Sequence, residues 1–258
     1  DQSYRIPKTI FEKSNNLVSR INKRINKTWR PREDEGQVRN TNFESIDLRH
    51  GQWLILGRTN YYINEVAQEL KNKGYLFEKN NYLSISKDVA TAYRAWISLQ
   101  NKQELSYEDV KAMYQFMPVG KNGVSRGKKG LPGADFEGLY SYIDLKKDWG
   151  LNTLVETPWE LALSRISESD KLYIKHILNS GHDIDEEANI KLSTIHGAKG
   201  GESQNVILFS DISKRINDNM WVNRDDERRV FYVGMTRAKE NLYIIPSTSP
   251  YEFEEILR

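Results

Sequence analysis

"WLILGRTNYYINEVAQELKNKGYLFE", Trp53 to Glu78, reads as a strand, a helix and a second strand. Trp53 to Leu56 is a continuous apolar run, as expected of a strand buried on both faces. Ile63, Val66, Ala67 and Leu70 then share one helical face, and Gly74 stands at the C-cap. "YLFE" resumes the strand pattern. Parallel neighbours need a crossover of this kind, so the stretch predicts a parallel α/β sheet.

The same alternation returns near the end of the chain. "IKLSTIH", Ile190 to His196, predicts a strand, "GAKGGES" a loop and "NVILFSD" a strand. "DDERRVFYVGMTRAKEN", Asp225 to Asn241, predicts a helix with acids in its first turn and Lys239 in its last, as the helix dipole favours, and "LYIIP" a final strand. Upstream, Ile10, Leu17, Val18, Ile21 and Ile25 predict an amphipathic helix over Lys8 to Lys27, and "GQVRN" a short strand. The middle is different. Residues 87–101 predict a helix through Val89, Ala92, Tyr93, Trp96 and Ile97, and Ser106 with Asp109 forms a capping-box pattern. Thr157-Pro158-Trp159-Glu160 predicts a helix start, and Ser167 with Asp170 another, closed by Gly181. Glycine-rich, basic 118–134 predicts a mobile loop. The expected organisation is thus an α/β domain in two segments, 1–87 and 188–258, split by a mainly helical insertion, 88–187.

The chain has 258 residues, 38% hydrophobic and 29% charged, which suits a soluble protein with a real core. No apolar run reaches membrane-spanning length, and no signal peptide opens the chain, which begins at Asp1 as a fragment would. Cysteine is absent, which removes disulfides, thiolate nucleophiles and cysteine-based zinc sites, and points to a reducing, cytoplasmic compartment. No histidine pair has helical metal-ligand spacing. Net charge is +2 but uneven: the first 32 residues hold nine Lys/Arg against Asp1 and Glu12, and Lys121, Arg126, Lys128 and Lys129 crowd one loop. Such clusters attract phosphate backbones, or are solvated faces.

Three polar groups follow or approach strand ends, where ligands of open parallel sheets bind: Arg58 with Thr59 and Asn60, the loop His196 to Glu202, and Arg237. Val230, Val233 and Arg237 share a helical stripe, so Arg237 must be paired if it faces the sheet. Its partner is either an internal carboxylate or a ligand phosphate, which the planar guanidinium binds bidentately. No window fits the phosphate loop G-x-x-x-x-G-K-[ST]. "DEEA", Asp185 to Ala188, precedes a strand rather than ending one and reads as a solvated turn rather than a magnesium box.

"TIHGAKGGESQNVIL" and "DDERRVFYVGMTRAKENLYII" resemble the fifth and sixth motifs of UvrD/Rep-like superfamily 1 DNA helicases. "WLILGRTN" is similar to the fourth motif, and "DQSYRIPKTIF" to the segment after the third. The motifs come in family order, around an insertion short for the family. The resemblance implies the second RecA-like domain, a P-loop NTPase-type parallel sheet with helices on both faces. It implies ATP with Mg²⁺ bound against an N-terminal RecA-like domain that carries the phosphate loop and the metal ligands. By motif position Arg58 and Arg237 are arginine fingers and nucleotide contacts, and Glu202 touches the ribose. Thr194 and His196 touch single-stranded DNA, Lys199 and Gly200 shape the loop between the two sites, and Thr59 and Asn60 are further DNA contacts. Tyr4 and Arg5 lie near the cleft. Two departures stand out: Gly57 replaces an adenine-stacking aromatic, leaving Tyr61 or Tyr62 for that role, and Gly201 replaces leucine, which loosens the loop.

The implied function is the C-terminal motor half of an ATP-dependent, 3′-to-5′ DNA helicase, inactive alone. A non-catalytic single-stranded nucleic-acid-binding module is the alternative, and a structural subunit of a helicase–nuclease complex a third reading.

Overall fold

A computed structural model describes residues 5–25, 29–198 and 200–258. Tyr4 and Lys199, both singled out above, lie outside them. In chain order the elements are α1 (Lys8–Ser19), β1 (Gln37–Asn40), β2 (Trp53–Gly57), α2 (Asn60–Asn72), β3 (Phe77–Lys79), β4 (Tyr82–Leu83), α3 (Lys87–Gln100), β5 (Leu105–Ser106), α4 (Tyr107–Phe116), β6 (Leu139–Tyr140), α5 (Tyr142–Lys147), α6 (Trp159–Ala162), α7 (Glu168–Asn179), β7 (Ile190–Thr194), β8 (Ser203–Phe209), α8 (Lys214–Met235) and β9 (Ala238–Ile245). The chain divides into two units, one of residues 1–70, 76–82 and 187–258, the other of 71–75 and 83–186.

The first unit carries a seven-stranded sheet in the order β1-β9-β8-β2-β7-β3-β4. The pairs β1–β9, β8–β9, β2–β8, β2–β7 and β3–β7 are all parallel. Every residue of β2 is buried, as a central strand covered on both faces requires. Leu54, Leu56, Val206, Leu208, Leu242 and Ile244 form one core with Ile10 and Leu17 of α1 and Phe231 and Met235 of α8. Ile55, Ile207 and Phe209 alternate to the other face and are equally buried, with Tyr62 of α2 edge-on to Phe209 at 5.0 Å. This is the RecA-like layering expected.

Two helix boundaries differ from expectation. α1 stops at Ser19, eight residues before Lys27, and Ile25 is exposed rather than on a buried stripe. α8 begins at Lys214, where Ser213 caps it by accepting from Ile216 N, and it is broken at Asn223, whose φ of −117° and ψ of 28° are not helical. Asp225 to Glu227 therefore occupy the first turn after the break. Lys239 is in β9, so it does not serve the helix dipole.

The second unit packs α3 to α7 with the antiparallel pair β5–β6. Ser86, Ser106 and Ser167 cap α3, α4 and α7 through their hydroxyls, whereas α6 is a four-residue turn capped at Pro158 rather than Thr157. The basic stretch 118–134 is tied down, contrary to the expectation of a mobile loop. Val124 and Leu131 are buried, Lys129 Nζ donates to the Gln115 and Met117 carbonyls, and Lys128 Nζ to that of Asp148. "DEEA" is an exposed turn in which Asp185 pairs with Arg94. No helix among the described residues is long and apolar enough to cross a membrane.

Candidate nucleotide and nucleic-acid site

All described candidate residues belong to the first unit, but the sheet distributes them over both of its edges. Glu202 immediately precedes β8 and Arg237 immediately precedes β9. The register Ser203–Ala238 brings these strand starts together, and Ser203 N donates to Arg237 O at 3.1 Å. Arg237 thus sits in the turn after α8, not on its sheet-facing stripe as the helical spacing suggested. Neither residue lies at a carboxyl strand end. Arg58, Thr59 and Asn60 do, following β2, as does Thr194 at the end of β7.

At the starting edge, Arg5 Nη1 meets Glu202 Oε1 at 2.6 Å and Lys239 Nζ meets Glu202 Oε2 at 3.4 Å. Burial pushes the Glu202 carboxyl up, but the hydrogen bonds and charges of Arg5 and Lys239 outweigh it and hold Glu202 below its ordinary range. Arg237 stands beside this group. Among the described residues its Nη1 reaches only Gly201 O, at 3.4 Å, and its buried Nε has no hydrogen-bond partner. Burial, then the charge of Arg5, lower its pKa, with Glu202 opposing. Three cations here face one carboxylate among the described residues. A buried unpaired donor within a net positive cluster is costly unless an anion completes it. Phosphate oxygens fit that donor set.

Arg58 makes a different pair. Its Nε and Nη2 donate to Glu227 Oε2 and Oε1 at 2.7 and 2.8 Å, with side-chain exposures of 19% and 11%. Glu227 lies eight residues before Met235 on α8, so about 12 Å of helix separates this pair from the turn holding Arg237. The structure does not gather Arg58 and Arg237 into one contact cluster; it strings them along one helix.

The loop after β7 is a pair of hydrogen-bonded turns. Gly197 N donates to Thr194 Oγ1 at 3.0 Å, Ala198 N to Thr194 O and Gly201 N to Ala198 O. Buried Ile195 and Ala198 anchor it, leaving His196 and Gly200 exposed. Gly200 has φ of +84°, which favours glycine. Gly201 does not, and a Cβ there would meet nothing closer than Ala198 O at 3.4 Å. Its missing leucine is therefore not imposed by backbone geometry.

Thr59 Oγ1 accepts from Tyr62 N at 3.4 Å, a helix-start contact, and Asn60 opens α2, exposed. A side chain at Gly57 would meet Ile63 Cγ1 and Cδ1 at 3.1 Å. Of the two tyrosines, Tyr61 is 72% exposed, whereas Tyr62 is committed to Phe209. Glu227, Lys239 and the pairing role of Arg5 were missed by sequence reading. Glu227 lay within a recognised motif and Arg5 within a quoted one, but their partners are remote in the chain.

The parallel sheet with a cationic cluster at its strand starts defines a RecA-like α/β domain. Residues 151–249 match the UvrD-like helicase C-terminal domain family, a stretch that includes Thr194, His196, Gly200, Glu202 and Arg237 and excludes Arg58, Thr59 and Asn60. No curated protein matches the chain. Over this stretch the chain is similar to the C-terminal domain of UvrD-like helicases.

Proposed function

We propose that this chain is the C-terminal motor half of an ATP-dependent DNA helicase, working 3′ to 5′ with an N-terminal RecA-like domain that carries the phosphate loop and the Mg²⁺ ligands. The direction rests on the family resemblance. The observation that carries the reading is Arg237: a half-buried guanidinium whose buried Nε has no hydrogen-bond partner among the described residues, beside the Glu202 cluster of Arg5 and Lys239.

ATP supplies the phosphoryl group whose transfer to water drives the motor. Arg237 places a fixed positive charge where negative charge develops on the transferring oxygens, which is the usual finger contribution. Glu202, acceptor-only and already oriented by Arg5, accepts from a ribose hydroxyl. Gly200 permits the turn that leads to it. Arg58 contributes a second guanidinium from β2. On the other side of the loop, Thr194 and His196, with Lys199, Thr59 and Asn60, contact single-stranded DNA.

One arrangement favours the alternative, a non-catalytic single-stranded nucleic-acid-binding module: Arg58 already holds a carboxylate partner in Glu227, and Gly57 offers no ring to adenine. DNA-stimulated ATP turnover by the full-length protein decides between them. Arg237→Ala should lower that turnover by about 10³-fold or more while ATP affinity falls much less. Turnover that survives Arg237→Ala makes the arginine structural, and no turnover in the parent protein favours the binding module.

A further inference from the structure

Glu227 has one partner among the described residues, Arg58, and the pair is side-on: Nε and Nη2 are taken and Nη1 is not. A guanidinium has five donors in a rigid fork, so one edge held by a carboxylate leaves the other able to bind a second oxyanion. Glu227 is itself held firmly. It stands in the first turn after the break at Asn223, and Phe231 and Met235, one and two turns on along the same face, are fully buried. A long flexible side chain on a strand end is thereby fixed in plane and direction by a rigid helix.

We propose that Glu227 is the positioning residue for Arg58, holding its Nε–Nη2 edge so that the Nη1 edge is presented to the phosphoryl oxygens of the nucleotide. The inference rests on the proposed function. A staple that merely joins β2 to α8 explains the same contact, and the two differ in what the variants do.

The test compares Glu227→Gln, Arg58→Ala and the double variant in the full-length protein. Positioning predicts that Glu227→Gln lowers kcat by about 10–100-fold with the KM for ATP no higher, since misplacement of this order costs that much. Tm falls, as loss of one charge from a largely buried pair requires, so kcat is read well below Tm, where the substitution adds no further loss in the Arg58→Ala background. A second measurement is independent of turnover. In the 258-residue chain, the Arg58 Nε–H resonance should exchange slowly, and the Nη resonances should shift on adding inorganic pyrophosphate; Glu227→Gln should abolish the slow exchange. Wild-type kcat in Glu227→Gln, an equal loss in both backgrounds, or an unchanged Nε–H resonance overturns the proposal. Full turnover in Arg58→Ala overturns the finger role of Arg58 and this inference with it, whereas loss in Arg58→Ala with none in Glu227→Gln overturns this inference alone.

Discussion

Arg5 and Glu202, 197 positions apart in the chain, meet at 2.6 Å at the start of β8. Among the described residues, Glu202 is the single carboxylate set among Arg5, Lys239 and Arg237. Its charge holds two of these cations and moderates the third.

Glu202→Gln removes that charge while keeping an acceptor. The cluster becomes more positive, so inorganic pyrophosphate should bind more tightly, by about 2- to 10-fold at low salt, an effect that fades as the Debye length shortens. ATP should gain less than pyrophosphate, because the ribose contact weakens. Calorimetric titration at two ionic strengths measures both. Equal or weaker pyrophosphate binding would mean that the cluster is not an anion site.

Gly201 and Gly200 separate flexibility from necessity. Gly201→Leu should leave unfolding free energy and Tm essentially unchanged, because the backbone there is ordinary and the nearest atom to its Cβ is Ala198 O at 3.4 Å. Gly200→Leu should cost about 1–2 kcal/mol, because the residue holds φ of +84°. Urea unfolding of the two variants gives the comparison. A large loss in Gly201→Leu would contradict the space seen beside that residue.

What could be seen in the sequence follows from range. The sheet was legible because fully buried parallel strands write continuous apolar runs, as Trp53 to Leu56 and Val206 to Phe209 do. The first half of α8 was not, because its core-facing stripe is only Ile216 and Met220, and Trp221 and Val222 beside them, 94% and 86% exposed, break the apolar periodicity. The motifs brought Glu202 and Arg237 into one reading, yet their edge of the sheet depends on the β8–β9 register, which no local pattern encodes. The pairing of Arg58 with Glu227 spans 169 positions and likewise required the fold.

Lys129 is a case where composition misled. Its ammonium donates to the Gln115 and Met117 carbonyls, and burial, then Arg165, lower its pKa. Lys129→Ala should leave carbonyls unpaired and cost about 1–3 kcal/mol. It should not alter the slope of log affinity for single-stranded DNA against log salt concentration, because this ammonium is already spent. A slope shallower by about one in fluorescence-anisotropy titrations would instead assign Lys129 to a phosphate.

Arg228 shows how the sixth-motif arginines divide their work. It donates to Glu255 through Nε at 2.8 Å and Nη2 at 3.0 Å, to Asp225 at 2.9 Å and to Arg20 O, binding α8 to the chain's last turn. Burial pushes the Glu255 carboxyl up, but Arg228 and Arg224 outweigh it and hold it below its ordinary value. A carboxylate lowered in the folded state contributes stability that is present above its unfolded pKa, about 4.3, and is lost as pH falls through the folded value. Arg228→Ala leaves a carboxylate of 8% exposure with Arg224, itself half exposed, and with Arg20 at 3.9 Å. Breaking such a buried pair should cost about 3–5 kcal/mol at neutral pH. Because burial then dominates, the Glu255 pKa should rise, and the loss of stability on acidification from about pH 5 should become shallower than in wild type. Urea unfolding across that pH range would test both effects. An unchanged slope with a small loss at neutral pH would show that Arg224 alone suffices to hold Glu255 ionised.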